Sequence, residues 1–377
     1  MLLLLAAAAA LPWSAPAAAV PHDSVRLPMI PLTLTGRAGC TGSSGTTFKE
    51  VPWEQQNLGL ADAWRFANGE GVTVAVVDTG VSEAPALAGR VSAVGDAGRD
   101  CVGHGTFVAG LIAARVDAEV RFAGVAPKAR ILAVRGTDKL GVASAGSVAN
   151  GIRAAADRKA DVIVVSAALP QMSSNLTSAV STALEGGAVV VAAAAPDPSG
   201  TGADPSSAPQ EYWPAAQPGV LSVLGVGGDG TLPDGALTPR HADLTAPGES
   251  VLGIGPRGSG HFVGSGSSLA AAFTAGAAAL VLSANPSLTA PEVTKVLIST
   301  AYPDGVPRLD PYAAVTVIRD SAAPSPSSVG APVRMPTTDP VVARATRRAI
   351  LMFAAGVGVV LLVSWCAAAI PGGRSRR

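Results

Sequence analysis

The sequence predicts an α/β protein with a central, mainly parallel sheet covered by helices on both faces. Three observations carry this. Short, wholly apolar runs recur as "GVTVAVVDTGV", "ARILAVRG", "DVIVVSA", "AVVVAAA" and "VLSVLGV", without the period-two alternation of a strand exposed on one face. Ala-rich stretches of helical length, "SAGSVANGIRAAADRKA" and "NLTSAVSTALEGG", lie between them, and strand, helix, strand at this spacing imposes right-handed crossovers between parallel strands. The 377 residues, 48% hydrophobic and 14% charged, supply enough apolar side chains for one large core.

In chain order, residues 1–19, "MLLLLAAAAALPWSAPAAA", hold an apolar run from Leu2 to Leu11 and then Ala17, Ala18 and Ala19. That A-x-A pattern suits a signal peptidase. No Lys or Arg precedes Arg26, so the basic start of a signal is missing and an uncleaved anchor is the alternative. Residues 20–60, rich in Gly, Thr and Pro, are expected as an extended arm, and residues 61–318 as the α/β domain. Residues 319–346, with "DSAAPSPSSVGAPVRMPTTDP", have a composition that cannot pack and read as a semi-rigid linker. Residues 347–371 contain 22 uncharged residues from Ala349 to Ile370, enough to cross about 30 Å of hydrocarbon as one transmembrane helix. Arginines flank both ends of it, so charge bias orients it only weakly. An exported N-terminus followed by a single span places the domain outside a cell membrane and residues 372–377 in the cytosol.

The 27 basic and 27 acidic residues give a formal net charge of zero, so no long-range field draws the chain to nucleic acid. Of three cysteines, Cys366 lies in the apolar span, while Cys40 and Cys101 fall in the exported part, where a disulfide persists. A Cys40 to Cys101 bond is expected, with two free thiols as the alternative. Four histidines, no H-E-x-x-H and no Cys or His cluster of metal spacing leave too few ligands for a zinc site. No D-x-D-x-D calcium loop is present either, and no cofactor is implied.

Three passages carry chemistry. In "VAVVDTGVS" an apolar strand ends in Asp78, so the carboxylate emerges at the C-terminal edge of a parallel strand, where open α/β sheets form their sites; alone, such an Asp reads equally as a helix cap. In "DCVGHGTFVAGLIAA" His104 stands between glycines at a helix start, the setting of a general base. In "FVGSGSSLAAAFTAGAAALVLSANP" a Gly-Ser turn enters a long small-residue helix and places Ser267 or Ser268 at its N-terminus, where backbone N–H groups favour developing negative charge. A plain N-cap is the bland reading of that serine.

Taken together, Asp78-Thr79-Gly80, His104-Gly105-Thr106-Phe107-Val108-Ala109-Gly110 and Gly266-Ser267-Ser268-Leu269-Ala270-Ala271-Ala272 resemble the three motifs of the subtilisin-like serine proteases. The resemblance covers roughly residues 55–315 and implies a three-layer subtilisin-like peptidase domain. Ser268 would then be the nucleophile, His104 the general base and acid, and Asp78 the group that orients the imidazole. The arm motif "VPWEQQNLGLADAW", a Cys just ahead of the His motif, the Pro-rich linker and the terminal span resemble, more narrowly, the mycosins, membrane-anchored subtilases of type VII secretion systems. That likeness implies an arm wrapped around the body, pairing of Cys40 with Cys101, a polypeptide substrate and a secretion membrane complex as partner. By family position Ser166, Ala167 and Ala168, with Ala193, border the first substrate pocket, and their small side chains suit a modest apolar residue.

One position departs from the pattern. Subtilases end the strand that here reads "VVVAAAAPDPSG" with an Asn whose amide binds the tetrahedral oxyanion, and Pro196 stands there instead, with neither a side-chain donor nor an N–H. Losing one such donor costs about 10² to 10³ in turnover, a figure established for this family. A one-residue shift brings Asp197, which repels an oxyanion when ionised and assists only when protonated. Two expectations follow: a slow or narrowly specific endopeptidase with an intact triad, or a protease-like structural subunit of the secretion complex. An α/β-hydrolase is excluded because His104 precedes every candidate Ser and G-x-S-x-G is absent.

Overall fold

The computed structural model describes residues 25–36, 38–117, 119–198, 208–320 and 340–369. The expected signal peptide and most of the expected linker lie outside the described residues. Two compact units meet at residues 323 and 324. In chain order the first carries α1 (Trp53–Asn57), α2 (Leu60–Ala63), β1 (Thr73–Asp78), β2 (Val91–Ala93), α3 (His104–Ala113), β3 (Arg130–Arg135), α4 (Ala145–Asp157), β4 (Val162–Val165), α5 (Ser174–Glu185), β5 (Val189–Ala193), β6 (Leu221–Val226), β7 (Leu244–Pro247), β8 (Val251–Ile254), β9 (His261–Gly264), α6 (Ser267–Ala284), α7 (Ala290–Ser299) and α8 (Pro311–Asp320). The second carries α9 (Pro340–Ala369).

Seven strands form one sheet in the order β2-β3-β1-β4-β5-β6-β7, with every pair parallel. The side-chain period of two sends Val74 and Val76 of β1 into one core with α3 and α6, and Ala75 and Val77 into a second with α4 and α5. Burial on both faces is why these strands read as continuous apolar runs. After β1 the chain first builds the β3 side of the sheet and then returns to add β4 on the other side. Asp78, the last residue of β1, therefore ends at a topological switch point, where such sheets open a crevice.

Among the described residues one helix is long and apolar enough to cross a membrane, and it is α6, with 83% of its apolar window buried. It is a core helix: Ser267 to Val281 are all buried, and its small residues allow close approach, as at Gly276, where a Cβ would lie 2.6 Å from Val125. The 30-residue α9 instead exposes Leu351, Met352, Phe353, Leu361, Leu362 and Trp365.

The arm lies against the first unit by backbone pairing. The Ile30 N–H donates to the Val263 carbonyl at 2.9 Å, Leu34 N–H to Leu140 at 2.8 Å, and His261 N–H to Thr46 at 2.8 Å. Cys40 and Cys101 form a disulfide, and beside it Thr41 N–H donates to the Cys101 carbonyl at 2.9 Å. In α1, Gln55 accepts from Ala123 N–H at 3.0 Å and donates to the Arg121 carbonyl at 2.9 Å.

Glu54, also in α1 and only 1% exposed, accepts the Leu252 N–H through Oε1 at 2.9 Å while Oε2 has no partner. Burial pushes its carboxyl up to about 7, only partly offset by the N–H groups of Glu54 and Leu252. A carboxyl raised in the folded state from its ordinary 4.5 contributes stability that is fully present below that value and lost as pH rises through about 7. The melting temperature should therefore fall between about pH 5 and pH 8, and Glu54→Gln should flatten that fall; calorimetry at the two pH values reads both, and an equal fall in the variant would refute the assignment.

Candidate active site

At the C-terminal edge of the sheet, the end of β1 and the first turns of α3 and α6 bring Asp78, His104 and Ser268 together. His104 Nδ1 lies 2.8 Å from Asp78 Oδ2 and 3.0 Å from Oδ1, and Nε2 lies 3.1 Å from Ser268 Oγ. All three are nearly inaccessible, at 3%, 5% and 0% exposed. Thr79 N–H donates to Asp78 Oδ1 at 2.6 Å.

A network around Asp100 holds His104 in place. Its Oδ1 accepts from Gly103 N–H at 2.7 Å and Thr79 Oγ1 at 2.9 Å, and its Oδ2 from Thr106 N–H at 2.9 Å and Thr106 Oγ1 at 2.7 Å. Thr79 Oγ1 in turn accepts from Gly105 N–H at 2.9 Å. This buried carboxylate caps the free N–H groups of α3, whose N-cap is Gly103 and makes no side-chain cap. Gly105 must be glycine, since a Cβ there would lie 2.1 Å from the Gly80 carbonyl. Arg135, ending β3, clamps the loop after β1 through the Thr79 carbonyl at 2.6 Å and the Arg99 carbonyl at 2.8 Å. Sequence reasoning missed this network, although Asp100 stands directly before Cys101 in "DCVGHGT".

Of the two serines opening α6, Ser267 is structural: its Oγ accepts the Gly225 N–H at 3.1 Å and ties the helix to β6. Ser268 faces His104. It also faces Asp197, whose Oδ1 accepts the Ser268 N–H at 2.9 Å and whose Oδ2 accepts the Ser268 hydroxyl and lies 3.5 Å from His104 Nε2. The side chain next to the nucleophile thus belongs to Asp197, one residue beyond the aligned position, while Pro196 forms part of the wall. Gly266, at φ 149°, makes room for it: a Cβ there would lie 2.0 Å from Asp197 Oδ1.

Asp78, His104, Pro196 and Asp197 line a cavity of about 190 Å³ together with Ser166, Ala167, Ala168 and Leu169, and with Leu32 and Thr33 of the arm. Ala193 is not on that wall. It is the last residue of β5, fully buried, and the chain reaches the cavity only at Pro196 and Asp197. A larger groove of about 510 Å³, lined by Leu184, Val189, Pro291 and Ile298, lies at the start of β5, away from these groups, and its only titratable lining residue is Lys295. No group of three or more His, Cys, Asp or Glu able to hold a metal ion occurs among the described residues.

Burial alone would push the Asp78 carboxyl up, but the His104 charge and hydrogen bond outweigh it and hold Asp78 below its ordinary range. Ser166 Oγ, buried and short of hydrogen-bonding geometry with any neighbour, is near enough to add to that lowering. Burial alone would push His104 down, but Asp78 and then Asp197, by charge and hydrogen bonding, raise it well above 6.5. Burial raises Asp100 despite its donors. Since the one proton of Ser268 Oγ is donated to Asp197, Nε2 of His104 can only be a donor toward Oγ, which agrees with an imidazolium.

The family model described as "Subtilase family" matches residues 69–336. Mycosin-1 of Mycobacterium tuberculosis (strain ATCC 25618 / H37Rv) is 31% identical, over 95% of this chain and 96% of its own length. Thermitase of Thermoactinomyces vulgaris is 36% identical over 63% of this chain and 84% of its own. Among solved structures, that of MycP3 protease from the type VII (ESX-3) secretion system superposes with a TM-score of 0.65 at 32% identity, covering 78% of this chain and 98% of its own.

An imidazole held up by two carboxylates should stay protonated through neutral pH. NMR titration of His104 should show this, and Asp78→Asn should move the titration to lower pH because burial then meets less opposition. Titration of the native His104 at or below 6.5 would contradict the geometry.

Proposed function

The chain belongs to the subtilase family and is of the mycosin type, and from that membership we propose that it is a membrane-anchored extracytoplasmic serine endopeptidase associated with type VII secretion. The observation that carries this is the hydrogen-bonded chain Asp78, His104, Ser268. Neutral His104 takes the hydroxyl proton as Ser268 Oγ bonds to the scissile carbonyl carbon, then returns it to the leaving amine as the C–N bond breaks. Water deacylates the ester by the same relay. Asp78 holds the imidazole in the required tautomer and stabilises its charge.

Small side chains at Ala167 and Ala168, beside Ser166, fit a modest apolar substrate residue. The anchor is α9, whose uncharged stretch from Ala349 to Ala369 and exposed apolar side chains suit a bilayer. An N-terminal signal at residues 1–19 exports the domain, the linker leads to the anchor and is shorter than expected because residues 340–346 belong to α9, and residues 372–377 stay cytosolic. The solved relative named as part of a type VII secretion system supports a complex of that kind as partner, with a polypeptide as substrate. A second reading, a protease-like subunit that stabilises the complex without turnover, draws on one observation: Asp197 occupies both the N–H and the hydroxyl of Ser268.

Fluorophosphonate labelling of the full-length protein in detergent separates the two. The endopeptidase should label at Ser268; Ser268→Ala should abolish the label, and His104→Ala should slow it by about 10² to 10⁴. A folded protein that takes no label would leave the structural reading standing.

A further inference from the structure

Building on the endopeptidase reading, we propose that Asp197 is a catalytic residue with two states: ionised, it occupies the oxyanion position and holds Ser268; protonated, it supplies the donor that Pro196 lacks. The geometry behind this is specific. The N–H that an oxyanion would need is that of Ser268, in the first turn of α6, and Asp197 Oδ1 sits on it at 2.9 Å. Asp197 Oδ2 takes the hydroxyl proton that His104 must remove and lies 3.5 Å from Nε2, with the carboxylate only 8% exposed. The resting carboxylate therefore sits where the transition-state charge develops.

The groups facing it come from three elements. His104 reaches it from α3 and Ser268 from α6, while Asp78 of β1 lies across the imidazole. Asp100 and Arg135 stand behind, both bonded to Thr79. His104 Nε2 and Asp197 Oδ2 lie 3.5 Å apart, so which of the two holds the proton between them sets the state of the site. With that proton on the imidazole the site is closed: Ser268 has no base and its N–H is taken. With the proton on Asp197 the site is competent. The substrate carbonyl oxygen displaces Oδ1 from the Ser268 N–H, Oγ bonds to the carbonyl carbon, the Oγ proton passes to Nε2, and the Asp197 O–H hydrogen-bonds the oxyanion without transferring its proton. Collapse breaks the C–N bond and the amine leaves with the proton from Nε2.

The test measures fluorophosphonate labelling rates of the full-length protein in detergent between about pH 5 and 10, because the phosphonyl oxygen needs the same donors. The native enzyme should give a bell, falling on the alkaline side as the shared proton is lost. Asp197→Asn, neutral and still a donor, should lose the alkaline fall and exceed the native rate at about pH 8 by about 10². Asp197→Ala, neutral without a donor, should fall between, roughly tenfold or more below Asn. An Asn variant no faster than the native protein, or one that keeps the bell, overturns the proposal, and an Ala variant equal to Asn overturns the donor role. NMR titration of His104 gives an activity-independent reading: Asp197→Asn should lower it, and no change also overturns the proposal. If the native protein and every variant stay unlabelled while His104 shifts as expected, the endopeptidase reading has failed and the electrostatic assignment has not.

Discussion

The pairing of Asp78 with His104 is made inside a body that favours neither charge. Burial drives the carboxyl toward its protonated form and the imidazole toward its neutral one, and their mutual field at 2.8 Å is the largest influence that reverses both, with Asp197 adding to it on His104. Such a pair holds only when its geometry is excellent and its remaining lone pairs are satisfied. That requirement explains the apparatus around it: Thr79 N–H on Oδ1, Asp100 on four N–H and hydroxyl groups near His104, and Arg135 on the loop carbonyls. Removing any of these changes where the imidazole points before it changes any reacting group.

Backbone proximity imposes a second constraint. The third group arrives on α6, which must enter the core next to β6 and the β7–β8 turn. Glycines in β6 and in the β7–β8 turn make this entry feasible: a Cβ at Gly248 would lie 2.4 Å from the Gly225 Cα, and one at Gly225 would lie 2.7 Å from the Gly266 carbonyl. With α6 so placed, Ser268 Oγ lies 3.1 Å from an imidazole set on another helix.

The parallel sheet was legible because doubly covered strands leave a one-dimensional signature, an apolar run without alternation. Asp78 was legible because it ends such a run at a strand edge, and His104 because glycines isolate it at a helix start. What stayed hidden depends on side chains meeting across space. The Asp100 network joins residues up to 26 positions apart through hydroxyls that look ordinary in sequence. Ser267 and Ser268 are adjacent and chemically identical, so the residues alone leave both open and the resemblance points to Ser268; the turn of α6 sets Ser267 against Gly225 and Ser268 against His104. Ala193, expected on the pocket wall by family position, is the buried last residue of β5 and is not among the residues that line the cavity.

The substitution at Pro196 and the carboxylate at Asp197 have unequal consequences. Loss of one oxyanion donor costs about 3 to 4 kcal/mol of transition-state stabilisation. An ionised carboxylate about 3 Å from a developing oxyanion adds repulsion on the order of 5 kcal/mol at an effective dielectric near 20. A bare proline would slow the reaction, whereas proline followed by an ionised aspartate at this position would nearly forbid it. The site also holds the remedy, because the nearby imidazole is the one group able to exchange a proton with that carboxylate, and moving the proton across removes the repulsion and provides a donor together. Pro196 lacks an N–H and has a fixed φ. It cannot contribute to the hole itself, and the first side chain beyond it that reaches Ser268 is the carboxylate. If Asp197 acts as proposed, the rate is set less by the triad, whose parts are in place, than by the position of a single proton between Asp197 and His104.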